Sequence, residues 1–453
     1  MSKRTVSRGQ LPYAPKAPWG YRMRDLVRPT AAIVVLALST SAEAANFDCS
    51  WATAASGTWN GAANWTSCNG AIPNNGAATF NANITAAGAA YTVTLNTAAT
   101  IGSLTLNSTD ATLSHTTGTL TAAAIDINNG TYNLAGGTIA GATIGGLGGV
   151  FRATANSTLN GATLSRSMDV GSAASNVTLN VNGGLTLDHA VGEALTVFNQ
   201  NNGFNTTNGL AFNTGTLGGT GTVVLTPGAT MGLRLFINNG QTLTVGSGVT
   251  VKTNSVAASS GTAITTGSNG TLINQGTISS ETAGRTLTVN PTTTTNTGTL
   301  AAKNGAILTL GGAWNNSAGT ISLDANANST VNLGGSFTTA QIGTLSRGAG
   351  GLNGRVNITG TLTNTGDTLL LDDSTGSLNL DGGSIVGGII DTAAGSASKL
   401  NVTASSTLSG GVTLASNLDV GSPSSIITLT VNGGLALDHA VGEALTVFNQ
   451  NNG

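Results

Sequence analysis

The ionisable residues that could do chemistry in this chain fall in one short pattern that occurs twice: Asp188, His189 and Glu193, then Asp438, His439 and Glu443. Two carboxylates at a suitable separation can act as acid and base in cleaving a glycosidic bond. A polysaccharide lyase would instead need clustered acids for Ca²⁺ and a basic residue to remove a proton, and neither block contains a Lys or Arg. The competing explanation is a solvated turn between the strand-like stretches LTL and LTVF, repeated because a larger unit was duplicated. A turn duplicated with its unit needs no catalytic explanation, and no catalytic residue, no metal ligand and no cofactor site is expected. Other motifs are poorer still. The Gly-rich run GATIGGLGGV (Gly141–Val150) looks like a phosphate loop but lacks the following GKS or GKT and a helix. Repeated Ca²⁺-binding nonapeptides and a G-x-S-x-G nucleophile elbow are also missing.

The elements that position these residues belong to a tandem repeat. Asp169–Gly203 recurs as Asp419–Gly453 with 29 of 35 positions identical. Upstream, NGTYNLAGGTI from Asn129 aligns with TGSLNLDGGSI from Thr375, so the duplicated unit is about 250 residues long. A finer period lies inside it. Gly followed by Thr and then Ile or Leu recurs at Gly276, Gly298, Gly319 and Gly343, and with Asp interposed at Gly366, in steps of 22, 21, 24 and 23. From Tyr91 onward the apolar residues alternate with polar ones (Val93, Leu95, Leu104, Leu106, Ile125, Ile127), broken by Asn, Gly and Asp. These are short strands joined by tight turns. A coil of about 22 residues holds two or three strands of about five. The expected fold is therefore all-β, a parallel β-helix (β-solenoid) of about 16 coils, each hydrogen-bonded to the next at about 4.8 Å.

Composition agrees with stacking. Only 8% of the residues are charged and 4% aromatic, while 39% are hydrophobic and 65 are Gly. Burial of one aliphatic side chain gives roughly 1.5–3 kcal/mol against an ordering cost of about 1–2 kcal/mol per residue, so no short run folds alone. Asn beside Gly (Asn128, Asn129, Asn182, Asn238, Asn239, Asn432) suits turns with left-handed backbone, and stacked Asn can form a ladder inside a coil. Seven Lys or Arg and two acids precede Ala45, which leaves 9 basic and 16 acidic residues after it, a balance of −7. Such a surface has no basic stripe for phosphates, so nucleic acid is not expected as a partner.

Residues 1–44 read as an export signal, in which Arg22, Arg24 and Arg28 precede the apolar run Ala31–Leu38 and small residues lead to cleavage after Ala44. The run is far short of the roughly 20 residues that cross a bilayer, and no transmembrane segment is expected in the rest of the chain. Met23 would begin a signal of more ordinary length than Met1 does. Residues 45–90 read as an N-terminal cap. They hold the only two cysteines, Cys49 and Cys68, expected as a disulfide in an exported chain. They also hold Trp51, Trp59 and Trp65, for burial in the cap or, alternatively, for stacking on sugar rings. Residues 91–453 form the array.

Three stretches carry a family resemblance: GTWNGAANW (Gly57–Trp65), YTVTLNTAATIGSLTL (Tyr91–Leu106) and the N-x-G-T-[IL] coils. They resemble passenger regions of bacterial autotransporters and related filamentous-haemagglutinin-like or PEP-CTERM-type repeat proteins. The resemblance implies a β-helix at the cell surface or outside the cell, often in adhesion or matrix, and carries no ligand-specific residue across. The sequence shows neither a C-terminal membrane barrel nor a sorting signal, and further coils with a secretion or anchoring element are expected beyond Gly453. The function expected is that of an exported, non-enzymatic adhesin or matrix component touching surface glycans through many feeble contacts. The alternatives are a polysaccharide-acting β-helix enzyme and a purely structural spacer.

Overall fold

The structure is a computed structural model that describes residues 45–171, 176–198, 209–226, 233–254, 262–348, 354–421, 426–438 and 444–447. Contacts divide the chain into Met1–Glu43, which lies outside the described residues together with the expected signal, and Ala44–Gly453.

The second unit is a parallel β-solenoid, 59% strand and 2% helix, with coils about 23 residues apart. It makes about 14 turns where the 22-residue step gives about 16, because several coils carry longer connections. Thr178 pairs with Gly209, for instance, 31 residues on. Each turn visits three faces. The alternation read from the sequence sets which side chains enter: Leu310, Leu333, Ile358, Leu380 and Val402 stack in register up the interior of one face and are essentially inaccessible to solvent. Parallel pairing within a coiled chain is possible because the rest of the turn supplies the crossover.

Taking the faces in the order the chain visits them, 178–181 lies on the first face, 185–188 on the second and Leu195–Phe198 on the third. Ten successive pairings lead from 178–181 up the first face to Leu418–Val420. The next strand, Leu429–Asn432, is the sequence duplicate of 179–182, yet it stands on the second face, ten pairings above 185–188. The 250-residue unit therefore winds ten turns and one third. Its second copy is turned by one face about the coil axis, which the core tolerates because all three faces require the same inward apolar alternation.

The N-terminal segment is continuous with the array. Asn46–Trp51 pairs in parallel with Thr79–Ile84, which pairs in turn with Ser103–His115, so the cap is the first coil with an added antiparallel pair, Trp51 opposite Trp65. The three tryptophans are buried and meet edge to face, with Trp59 wholly inaccessible. Their indole N–H groups donate to the carbonyls of Ala55, Pro73 and Trp59. They close the core, which excludes the sugar-stacking alternative. Cys49 and Cys68 stand at disulfide-bonding distance with Cα atoms 4.8 Å apart.

Candidate functional site

The Asp188–Glu193 turn joins the second face to the third. The backbone N–H of His189 donates to the Thr220 carbonyl of the next coil (3.0 Å), which pins the start of the turn. Gly192, with φ 92°, lets the chain reverse, and the N–H of Glu193 donates to the Ala190 carbonyl (3.0 Å). The Glu193 carboxylate reaches back to accept from the Ala190 N–H (3.0 Å). It thus fastens its own turn. Asp188, exposed at the end of its strand, accepts from the Ser165 hydroxyl one coil below (3.2 Å).

The His189 ring lies half-buried against Leu187 and Gly221, where a Cβ on Gly221 would come within 2.8 Å of Nδ1. Neither ring nitrogen has a hydrogen-bond partner among the described residues. Burial lowers its pKa below the ordinary histidine value, and the charges of Glu193 and Asp188 pull in the other direction. In the second copy Asp438 is exposed, its N–H donating to Leu414 (2.9 Å), and His439 and Glu443 lie outside the described residues.

Folding does bring a cation to the first block, which has none in sequence. Arg166, from the preceding coil, is close enough for the Glu193 charge to act on it. Its guanidinium is already enclosed, donating to the carbonyls of Ile127 (2.5 Å), Gly145 (3.2 Å), Gly148 (2.7 Å) and Gly149 (2.8 Å). The Gly-rich run that looks like a phosphate loop thus presents carbonyls to an internal cation, the reverse of the polarity an anion site needs. Gly146, with φ 114°, allows this loop because a Cβ there would stand 2.4 Å from the Ile127 carbonyl oxygen. Arg166 is positioned to brace the loop and is too enclosed to remove a substrate proton. Among the described residues no three His, Cys, Asp or Glu side chains are grouped to hold a metal ion.

The polar groups with the most organised geometry are stacked asparagines, as the composition anticipates, at positions other than those beside Gly. Asn274, Asn296 and Asn316, all buried, form an interior ladder in which each amide donates to the next side-chain oxygen (2.6 and 2.5 Å) and the last to the Ile342 carbonyl (2.6 Å). They are the first residues of NQGT, NTGT and NSAGT, so the recurring Asn was the available signal. Asn364, heading NTGDT, is buried likewise and donates to Ile389 (2.9 Å). A second ladder runs up the outside through Asn332, Asn357, Asn379 and Asn401 at 2.9–3.3 Å. In the lower coils His115 is completely buried, its Nδ1 3.0 Å from the Tyr132 hydroxyl and its Nε2 3.1 Å from the Gly118 carbonyl.

Outside, the second face carries a nearly uniform column. The outward register from Thr242 through Thr271, Thr293, Ala313, Ser336, Thr361, Ser384 and Thr407 to Thr430 holds only Thr, Ser and one Ala. Thr271 and Thr293 join through their hydroxyls at 2.9 Å. Charges are few there; elsewhere Lys252 and Lys303 pair with Glu281, and Lys399 with Asp419. No helix among the described residues is long and apolar enough to cross a membrane. Comparison of the chain with family models, with curated proteins and with solved structures finds no match.

Proposed function

We propose that the chain is an exported, non-enzymatic surface protein, an adhesin or matrix component that holds glycans through many similar contacts along a solenoid. The observation that carries this reading is the outward column of short hydroxyl side chains repeated from coil to coil, from Thr242 to Thr430. One Thr hydroxyl holds a sugar feebly, but a column spaced at about 4.8 Å meets a polymer many times, and the effective concentration of each further contact multiplies the first. The one-third turn between copies adds direction, because duplicated surface motifs then face different ways and can bridge separate polymers.

The Asp188–His189–Glu193 turn supports the non-enzymatic side. Glu193 closes its turn, Asp188 ties to Ser165, and Arg166 is enclosed by carbonyls. Retention of the fluorescently labelled chain on immobilised bacterial surface polysaccharides, with and without competing soluble polymer, tests the proposal. Saturable retention that rises steeply with polymer length is expected. Retention equal to that on a bare matrix removes the binding role and favours a spacer.

A further inference from the structure

The solenoid is not equally flat everywhere. On the first face the outward residues of Arg234–Ile237 are Arg234 and Phe236, whereas their register partners are Gly209 and Ala211 on the coil below and Ala263 and Thr265 on the coil above. Two large side chains rising among small ones leave a groove of about 280 Å³, walled by Asn180, Arg234, Phe236 and Asn238 with Ala211 in its floor. Asn238 donates to Asn213 (2.9 Å), and Asn213 to Asn182 (2.5 Å), so an Asn ladder forms the groove's edge at the corner of the coil. Directly past that ladder the chain runs through Gly183, Gly184, Thr214 and Gly215, which line a second, shallower groove of about 400 Å³.

Resting on the glycan-contact reading above, we propose that this strip is a defined binding site for an acidic oligosaccharide. One uronate-type ring lies in the Phe236–Arg234 groove, and the following sugars pass over the glycine-paved corner. Each part has a reason. Phe236 is half-exposed and offers a flat apolar surface to the C–H face of a sugar ring. Arg234 is half-exposed and forms no ion pair among the described residues, so its fork of N–H donors is open to a carboxylate. The Asn238 side-chain oxygen, unused by the ladder, can accept from a sugar hydroxyl. Gly183, Gly184 and Gly215 leave part of the corner without side chains, so a bulky polymer can lie against backbone there. One cation on a body with a balance of −7 selects a carboxylate locally and does not make a phosphate-tracking surface.

The test titrates the purified chain with a tetramer of galacturonic acid and, as control, a neutral tetramer of galactose, read by calorimetry. Saturable binding of the acidic tetramer and at least about tenfold weaker binding of the neutral one are expected, since a charge-assisted bidentate contact carries the difference. Arg234→Gln should abolish that preference, and Ala211→Leu, which fills the groove, should weaken both. If Ala211→Leu alters the circular dichroism, Arg234→Gln alone decides. Absence of saturable binding by the acidic tetramer, or equal binding by wild type and Arg234→Gln, overturns the assignment. If wild type and Arg234→Gln bind the acidic tetramer equally while wild type is retained on surface polysaccharide, this site falls and the broader adhesive reading stands. If wild type is not retained on any polysaccharide, the broader reading falls.

Discussion

Lowering the pH from 7 to 5 should loosen the lower coils by an amount that the burial of His115 sets. The imidazole is wholly inaccessible, and burial pushes its pKa down from 6.5 to about 4, outweighing the Gly118 and Thr117 carbonyls that favour its charged form. The unfolded chain therefore binds more protons than the folded one between these two values, and stability falls as the pH falls through that window. The shift corresponds to a limiting loss of about 3 kcal/mol, of which about 2 kcal/mol is lost by pH 5. Below pH 4 the histidine contribution is complete. Tyr132, the ionisable partner, is held above its ordinary value by burial and stays neutral throughout. Asp372, whose pKa hydrogen bonds from Thr375 and Ser374 lower to about 2, begins to weaken the fold only below about pH 4, a separate window. His189 is shifted in the same direction as His115, so a variant is needed to isolate the effect. Repeat arrays open locally, which makes hydrogen exchange of peptides from Ala111–Leu134 the suitable assay. Protection in wild type should drop by the stated amount between pH 7 and 5 after correction for intrinsic exchange. In His115→Phe, less stable overall because the Tyr132 hydroxyl loses its partner, the drop should shrink to the residue left by other groups. An equal drop in both proteins would refute the reasoning.

Asn296→Leu should destabilise the middle coils by about 1–3 kcal/mol, because it strands the Asn316 side-chain oxygen inside the core, and chemical denaturation checks this. Asn332→Ala, on the outer ladder with solvent at hand, should cost less than about 1 kcal/mol in the same assay. Cys49→Ser with Cys68→Ser should expose the capping tryptophans at lower denaturant, with a loss of about 3 kcal/mol in the chain-entropy model, seen as an early shift in Trp fluorescence. Arg166→Met should raise the proteolytic sensitivity of the 146–149 loop and leave the upper coils unchanged, since four carbonyls lose their donor together. Alanine at Asp188, His189 and Glu193, and at Asp438, His439 and Glu443, should leave polysaccharide retention within about twofold of wild type, because in the first copy Glu193 is spent on its own turn's backbone and Asp188 on the Ser165 hydroxyl.

The strand class and the coil were legible because both depend on local pattern. Leu104 and Leu106 alternate with polar neighbours and are both buried, and the steps between Gly276 and Gly366 anticipate the coil spacing closely. The Asn ladder was half legible. Stacked Asn was anticipated at Asn beside Gly, but the buried members are Asn274, Asn296 and Asn316, set one or two residues further from their Gly. The one-third turn was hidden because, beyond the cap, coils range from 17 residues (Arg152 to Asp169) to 32 (Leu185 to Leu217), so a unit length does not convert into a number of turns. Arg166 and the Arg234–Phe236 groove depend on which residues stack above which, and only the register of neighbouring coils supplies that.

The measurement that bears most directly on the central claim follows retention and turnover together. The purified chain is held on a labelled acidic polysaccharide, and released reducing ends and unsaturated sugars are counted over many hours while bound protein is tracked. Lasting retention that soluble polymer reverses is expected, with no product above the rate of the polysaccharide alone. Product accumulating with time, and disappearing when Asp188, His189 and Glu193 are replaced without loss of fold, would contradict it and put chemistry in the turn.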